Sequence, residues 1–149
     1  MKRVRKKTWE EKVVIVHNSW ERVKGIDVFG RKFYDSLFFL NKDLKNKFKA
    51  TDFEHQEKLL LQGVEILVKY LDDEDQFSKK QIMRLAKTHN HYNLGIHPHS
   101  YYYWVEALIM TISALDDSWF DDLEYYWREC IGFPINFMIS QYFVRDGLT

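Results

Sequence analysis

Four of the six histidines fall within eleven positions of one stretch, RLAKTHNHYNLGIHPHSYYYW (residues 84–104). Imidazole is the side chain best suited to hold a metal or move a proton near neutral pH. His89 and His91 form one closely spaced pair, His97 and His99 another. On a helix, residues two apart point about 200° away from each other, so neither pair grips one ion unless the backbone is extended. No cysteine or carboxylate nearby supplies a third ligand, and tetrahedral zinc needs three or four that converge. The pattern therefore speaks against zinc.

One imidazole acting alone is a different case. Ile82, Leu85, His89 and Tyr92 recur at i, i+3, i+7 and i+10, which puts His89 on the apolar stripe of its helix and His91 on the opposite side. A single imidazole aimed into a core is what a haem iron requires, because the porphyrin supplies the other four nitrogens. The stripe alone favours the plainer reading, a core histidine bonded to a carbonyl, so ligation needs evidence from elsewhere in the chain.

Such side chains must be positioned by helices, since only two prolines and six glycines interrupt the chain and apolar residues recur at spacings of three and four. Trp9, Val13, Val16, Trp20 and Val23 form the first stripe, opened by a capping box of Thr8 with Glu11 and ended at Gly25. A second helix is expected from about Asp27 to Leu40, with Phe29, Phe33, Leu37 and Tyr34 facing inward, then a short helical segment ending at Phe48. Thr51 with Glu54 reads as another capping box, opening a helix to about Leu71. The acidic run from Asp72 to Asp75 reads as a loop, and Ser78 with Gln81 as the next cap. Pro98 suits the first turn of a helix to about Leu115. The last helix is expected to start at Ser118 and to bend or split at Pro134, which lacks an amide hydrogen and crowds the preceding turn.

Composition narrows the function. At 149 residues, 46% hydrophobic and 17% aromatic, the chain can bury a single core. Its 22 basic and 22 acidic residues cancel, so no overall field draws it to nucleic acid or an anionic membrane. Residues 1–7 form a basic arm and residues 8–149 one domain. No apolar run has the length of a membrane span or the form of a secretion signal, and Cys130 has no disulfide partner, which together point to the cytoplasm.

The order of Trp20, Phe33-Tyr34, Phe48, the helix TDFEHQEKLLLQGVEILVKYL, LAKTH and LGIHPHSYYYWVEALI resembles the bacterial single-domain globins over nearly the whole chain. The likeness is strongest to a bacterial subgroup in which a histidine is followed by Leu, Ile, Pro and Tyr at +5, +7, +9 and +12, here His89, Leu94, Ile96, Pro98 and Tyr101. The resemblance implies an all-α globin fold with helices packed around one haem pocket. It also implies one haem b with its iron on His89, Phe48 stacked on the porphyrin, and Leu85, Ile96 and Tyr101 completing the lining. No C-x-x-C-H is present, so covalent attachment is excluded. Relative to the commonest bacterial pattern there are two extra residues between His89 and Gly95. Taking His91 as the ligand would remove them but would break the stripe. Tyr101 matches a tyrosine that backs the proximal histidine in bacterial globins; Tyr142 stands about where the accompanying glutamate would fall.

On the gas-binding side the resemblance points to Tyr34 and to His55 or Gln56. Helical phase separates the last two: Gln56 shares the face of Phe53, Leu60, Val64, Leu67 and Leu71, whereas His55 turns toward Glu54 and Lys58. Gln56 is the expected distal residue, with Leu60 above the iron and His55 as second choice. Tyr34 and Gln56 each bring a hydrogen-bond donor. The expected function is reversible binding of O2, CO or NO, with nitric oxide dioxygenation if an external reductase delivers electrons, since the chain has no room for a flavin domain. A gas sensor is the alternative, supported by the basic arm and the acidic 116–124 stretch, with a homodimer as one readout; a haem-free globin-like module is the remaining one.

Overall fold

Helix α1 (Trp9–Val23) begins as its sequence dictates: Thr8 Oγ1 accepts from the Glu11 amide and Glu11 reaches back to the Thr8 amide. The computed structural model describes residues 6–72 and 76–145, so Lys2, Arg3 and Arg5 of the basic arm and Asp73–Asp75 of the acidic run lie outside the described residues. Six further helices follow: α2 (Phe29–Leu40), α3 (Lys42–Lys47), α4 (Phe53–Tyr70), α5 (Gln76–His89), α6 (Pro98–Leu115) and α7 (Asp121–Ser140), with no strand among the described residues. No helix among them is long and apolar enough to cross a membrane.

The apolar stripes converge on one core. Trp20, Phe29, Phe33, Leu108, Ile112 and Trp127 are almost wholly buried, each such side chain contributing about 1.5–3 kcal/mol by leaving water. Helix α2 lies along α6, α1 along α7, and α4 packs on both α2 and α5. Gly30 permits the approach of α2 to α4: a Cβ there would stand 2.6 Å from Glu57 Cγ and 2.7 Å from Glu57 Cβ.

Several local expectations are corrected. The cap of α4 is Asp52, whose carboxylate accepts from the His55 amide, and not Thr51. Ser78 is buried inside α5, which already runs from Gln76, so it does not cap that helix. Helix α2 begins at Phe29, two residues after Asp27, and α7 at Asp121 and not Ser118. Helix α7 is continuous through Pro134. Ile131, Pro134, Ile135 and Met138 are all buried, so core packing on both sides of the ring holds the helix together where the local rule favours a break. Tyr92 does not extend the stripe of His89; it follows the helix end and is 48% exposed.

Asp116 also departs from expectation. Read as part of an acidic surface stretch, it is buried at the end of α6 and receives Ser19 Oγ at 2.6 Å, Arg22 Nε at 2.7 Å, Arg22 Nη2 at 2.8 Å and the Ser118 amide at 3.0 Å. Trp127 Nε1 donates to Ser19 Oγ at 2.9 Å, so one carboxylate joins α1 to α7 and to the turn between α6 and α7.

Candidate functional site

His89 is the last residue of α5, where the backbone no longer needs every carbonyl for the helix. Its Nδ1 lies 2.8 Å from the Leu85 carbonyl one turn earlier, which fixes the proton on Nδ1 and turns the lone pair of Nε2 outward from the helix. Nε2 has no hydrogen-bond partner among the described residues. Burial lowers the affinity of the ring for a second proton, outweighing the opposing effect of the Leu85 carbonyl. The ring is therefore a neutral imidazole with one open nitrogen, able to donate a lone pair to a metal. Among the described residues no three His, Cys, Asp or Glu side chains converge on a cation, so a metal held at His89 would need donors that these side chains do not supply.

Helices α2 and α4 bring together a second group. Gln56 Nε2 donates to Tyr34 Oη at 3.0 Å. Because that oxygen accepts, the phenol's own hydrogen is left for another acceptor. Burial raises the Tyr34 phenol above its ordinary value, with Glu57 adding to the rise and the Gln56 bond partly opposing it, so Tyr34 stays protonated at neutral pH. The Tyr34 ring packs with Phe38, Phe48 and Phe53 at centroid separations of 5.9, 5.6 and 5.6 Å. Leu60, one turn beyond Gln56, is buried, whereas His55 faces solvent.

The remaining candidates lie around the α5–α6 turn. Leu85 and Ile96 are half-buried against the core, and the Ile96 amide donates to the His89 carbonyl at 2.9 Å. Tyr101, on the first turn of α6, is buried; burial pushes its phenol up to about 12, and it makes no hydrogen bond among the described residues. His97 caps α6 by accepting from the His99 amide at 3.0 Å, and His99 lies in the first turn of that helix. His91 and His99 are exposed. An open cleft on the same turn, lined by Arg84, Lys87, Thr88, Asn93 and Leu94, is fully at the surface, and its Thr88 and Asn93 donors are spent on the Arg84 and Lys87 carbonyls.

Two polar residues escaped sequence reasoning. Asn90, next to His89, is buried and its side chain makes three hydrogen bonds; asparagine after a helix ordinarily signals only a turn. Glu57 carries a signal only through its partner, a glycine one α-helical approach away.

The geometry has counterparts. No curated protein matches the chain significantly. The fold is similar to the crystal structure of a Pseudomonas aeruginosa PAO1 protein described as structurally highly homologous to a human hemoglobin. The two share 26% identity over 88% of this chain and 98% of that one, with a TM-score of 0.80. Residues 31–137, most of the described length and including Tyr34 and His89, match the globin family model, and the chain therefore belongs to the globin family.

Proposed function

We propose that this globin holds one haem b through His89 and reversibly binds a diatomic gas, O2, CO or NO, on the opposite side, where Tyr34 and Gln56 supply hydrogen-bond donors. The observation that carries the reading is the imidazole at residue 89: buried enough to stay neutral, fixed through Nδ1, and open at Nε2. The surrounding residues suit a planar apolar group, since Phe48, Leu60, Leu85 and Ile96 present hydrocarbon and Tyr101 adds a buried phenol with no other partner. When bound, haem supplies a ferrous centre that binds and polarises the gas.

The chain's own part is orientation and selective hydrogen bonding. Leu85 fixes the tautomer of His89 and raises its basicity as a ligand. Gln56 polarises the Tyr34 hydroxyl by donating to its oxygen, which makes the free phenolic hydrogen a better donor. A gas that gathers negative charge gains more from that donor than a neutral one, so O2 is favoured over CO. Slow release follows, which suits oxygen retention, or oxidation of nitric oxide to nitrate with an external reductase restoring the iron. We place the activity in the cytoplasm, as the single buried Cys130 allows.

Absorbance tests the core of the proposal. The chain expressed with haem available should be red with an intense Soret band, His89→Ala should lose it, and His91→Ala should keep it. A colourless wild-type chain that also refuses added hemin, or a His91→Ala variant that alone loses the band, overturns the assignment.

A further inference from the structure

Past the end of α7 the chain folds back over the turn that follows His89. The His91 amide donates to the Tyr142 carbonyl at 2.9 Å, and the Asn90 side-chain amide donates to the Val144 carbonyl at 2.9 Å. Rings reinforce the contact. Tyr142 lies 5.4 Å from His91 and 5.9 Å from His97, Phe143 lies 5.5 Å from His91, and the Arg145 guanidinium stands 5.5 Å from the Tyr92 ring centre.

Asn90 is the centre of this arrangement. At 2% exposure its amide has left water, and both of its polar atoms are bonded. Oδ1 accepts from the Tyr92 amide at 3.1 Å and from Asn93 Nδ2 at 3.2 Å, two bonds that close the turn locally. Nδ2 reaches outside the turn, to residue 144. The turn itself is tight: Gly95, at φ +65°, donates its amide to the Asn90 carbonyl at 2.8 Å, and Ile96 donates to the His89 carbonyl. The backbone of residue 89 is thus held by α5 on one side and by a turn on the other. The outward bonds of that turn, from the His91 amide and Asn90 Nδ2, run to the segment 142–144.

We infer that Asn90 is a positioning residue for His89: by anchoring Tyr142–Val144 on the 90–96 turn, it fixes the imidazole against the iron. The inference rests on His89 being the haem ligand. Asn90→Asp separates its two roles, keeping the acceptor that closes the turn while setting a carboxylate oxygen against the Val144 carbonyl. Truncation after Gln141 removes the segment and leaves Asn90 intact. Both variants, as purified, should lose haem to excess serum albumin at least tenfold faster than wild type. Their iron–histidine stretching band should shift or broaden in the ferrous resonance Raman spectrum, and the amides of His91, Gly95 and Ile96 should exchange with deuterium at least tenfold faster.

Haem loss within twofold of wild type together with an unmoved iron–histidine band overturns the inference; if Asn90→Asp does not fold, the truncation decides alone. A wild-type chain that takes up no haem would refute the functional reading instead, and amide exchange then decides whether the segment holds the turn: unchanged exchange refutes that as well.

Discussion

The carboxylate of Asp116 and the imidazole of His89 are both polar groups set in apolar surroundings, yet they are treated in opposite ways. Asp116 is saturated: its oxygens take two bonds from Arg22, one from Ser19 and one from a backbone amide, and Ser19 is itself held by Trp127. At His89 one nitrogen is fixed and the other has no partner; Tyr34 accepts a bond but keeps its own hydrogen free, and Tyr101 has no partner at all among the described residues. A buried acceptor left unmet costs about 1–3 kcal/mol, which the bonds to Asp116 avoid, whereas His89 Nε2 and the Tyr101 hydroxyl are not fully enclosed and stay open at little cost. The valences left open around His89 are the ones that a bound group can complete.

Substitutions can break this contrast. Asp116→Ala leaves the buried Ser19 hydroxyl without its acceptor, while the exposed Arg22 can turn to water, and should destabilise the chain by about 1–3 kcal/mol. Its chemical unfolding midpoint should fall sharply while the oxygen off-rate of the folded fraction stays near wild type; a changed off-rate would merge the two regions. Tyr34→Phe should do the reverse. Losing a donor to a charged acceptor, about 1.5–3 kcal/mol, should speed oxygen release about 10–100-fold with little change in the unfolding midpoint. Stopped-flow release that matches wild type in both Tyr34→Phe and Gln56→Leu would remove these two residues from the gas site. Gly30→Ala sharpens the comparison, since it should move both readouts. The added methyl meets Glu57 where the main chain cannot yield easily, costing about 1–3 kcal/mol and parting α2 from α4 and Tyr34 from Gln56. Wild-type values in both measurements would show that the two helices yield without cost.

The stripes of α1, α2 and α4 were legible because periodicity is a property of many residues at once. Single-residue signals fared less well. Thr51 and Asp52 are adjacent capping residues, and only the entry angle of the chain selects Asp52. Pro134 was read by its local cost, which burial of its neighbours outweighs. Within the site, the inward phase of Gln56 and the outward phase of His55 follow from sequence, whereas the bond from Gln56 to Tyr34 depends on how closely two helices approach. Asp116 carried no local signal: its partners Ser19 and Arg22 are 97 and 94 residues away, so it looked like one more surface acid in an acidic run.

Acid provides the mildest separation of the two regions. Burial alone would raise the Asp116 carboxyl, but hydrogen bonds from Arg22, Ser19 and the Ser118 amide, with the Arg22 charge, outweigh it and hold the group below the ordinary carboxylate value. A carboxyl depressed in the folded state binds fewer protons than in the unfolded chain, so its contribution is fully present above about pH 4, the unfolded value. It is lost as pH falls toward the folded value, with a slope no steeper than about 1.4 kcal/mol per pH unit for one group. Asp116→Asn should flatten that limb of the unfolding profile below about pH 4 while leaving the profile near neutrality parallel to wild type. Equal acid slopes in the two proteins would mean that Asp116 titrates alike folded and unfolded, and that the saturation of its oxygens does not stabilise the charge it encloses.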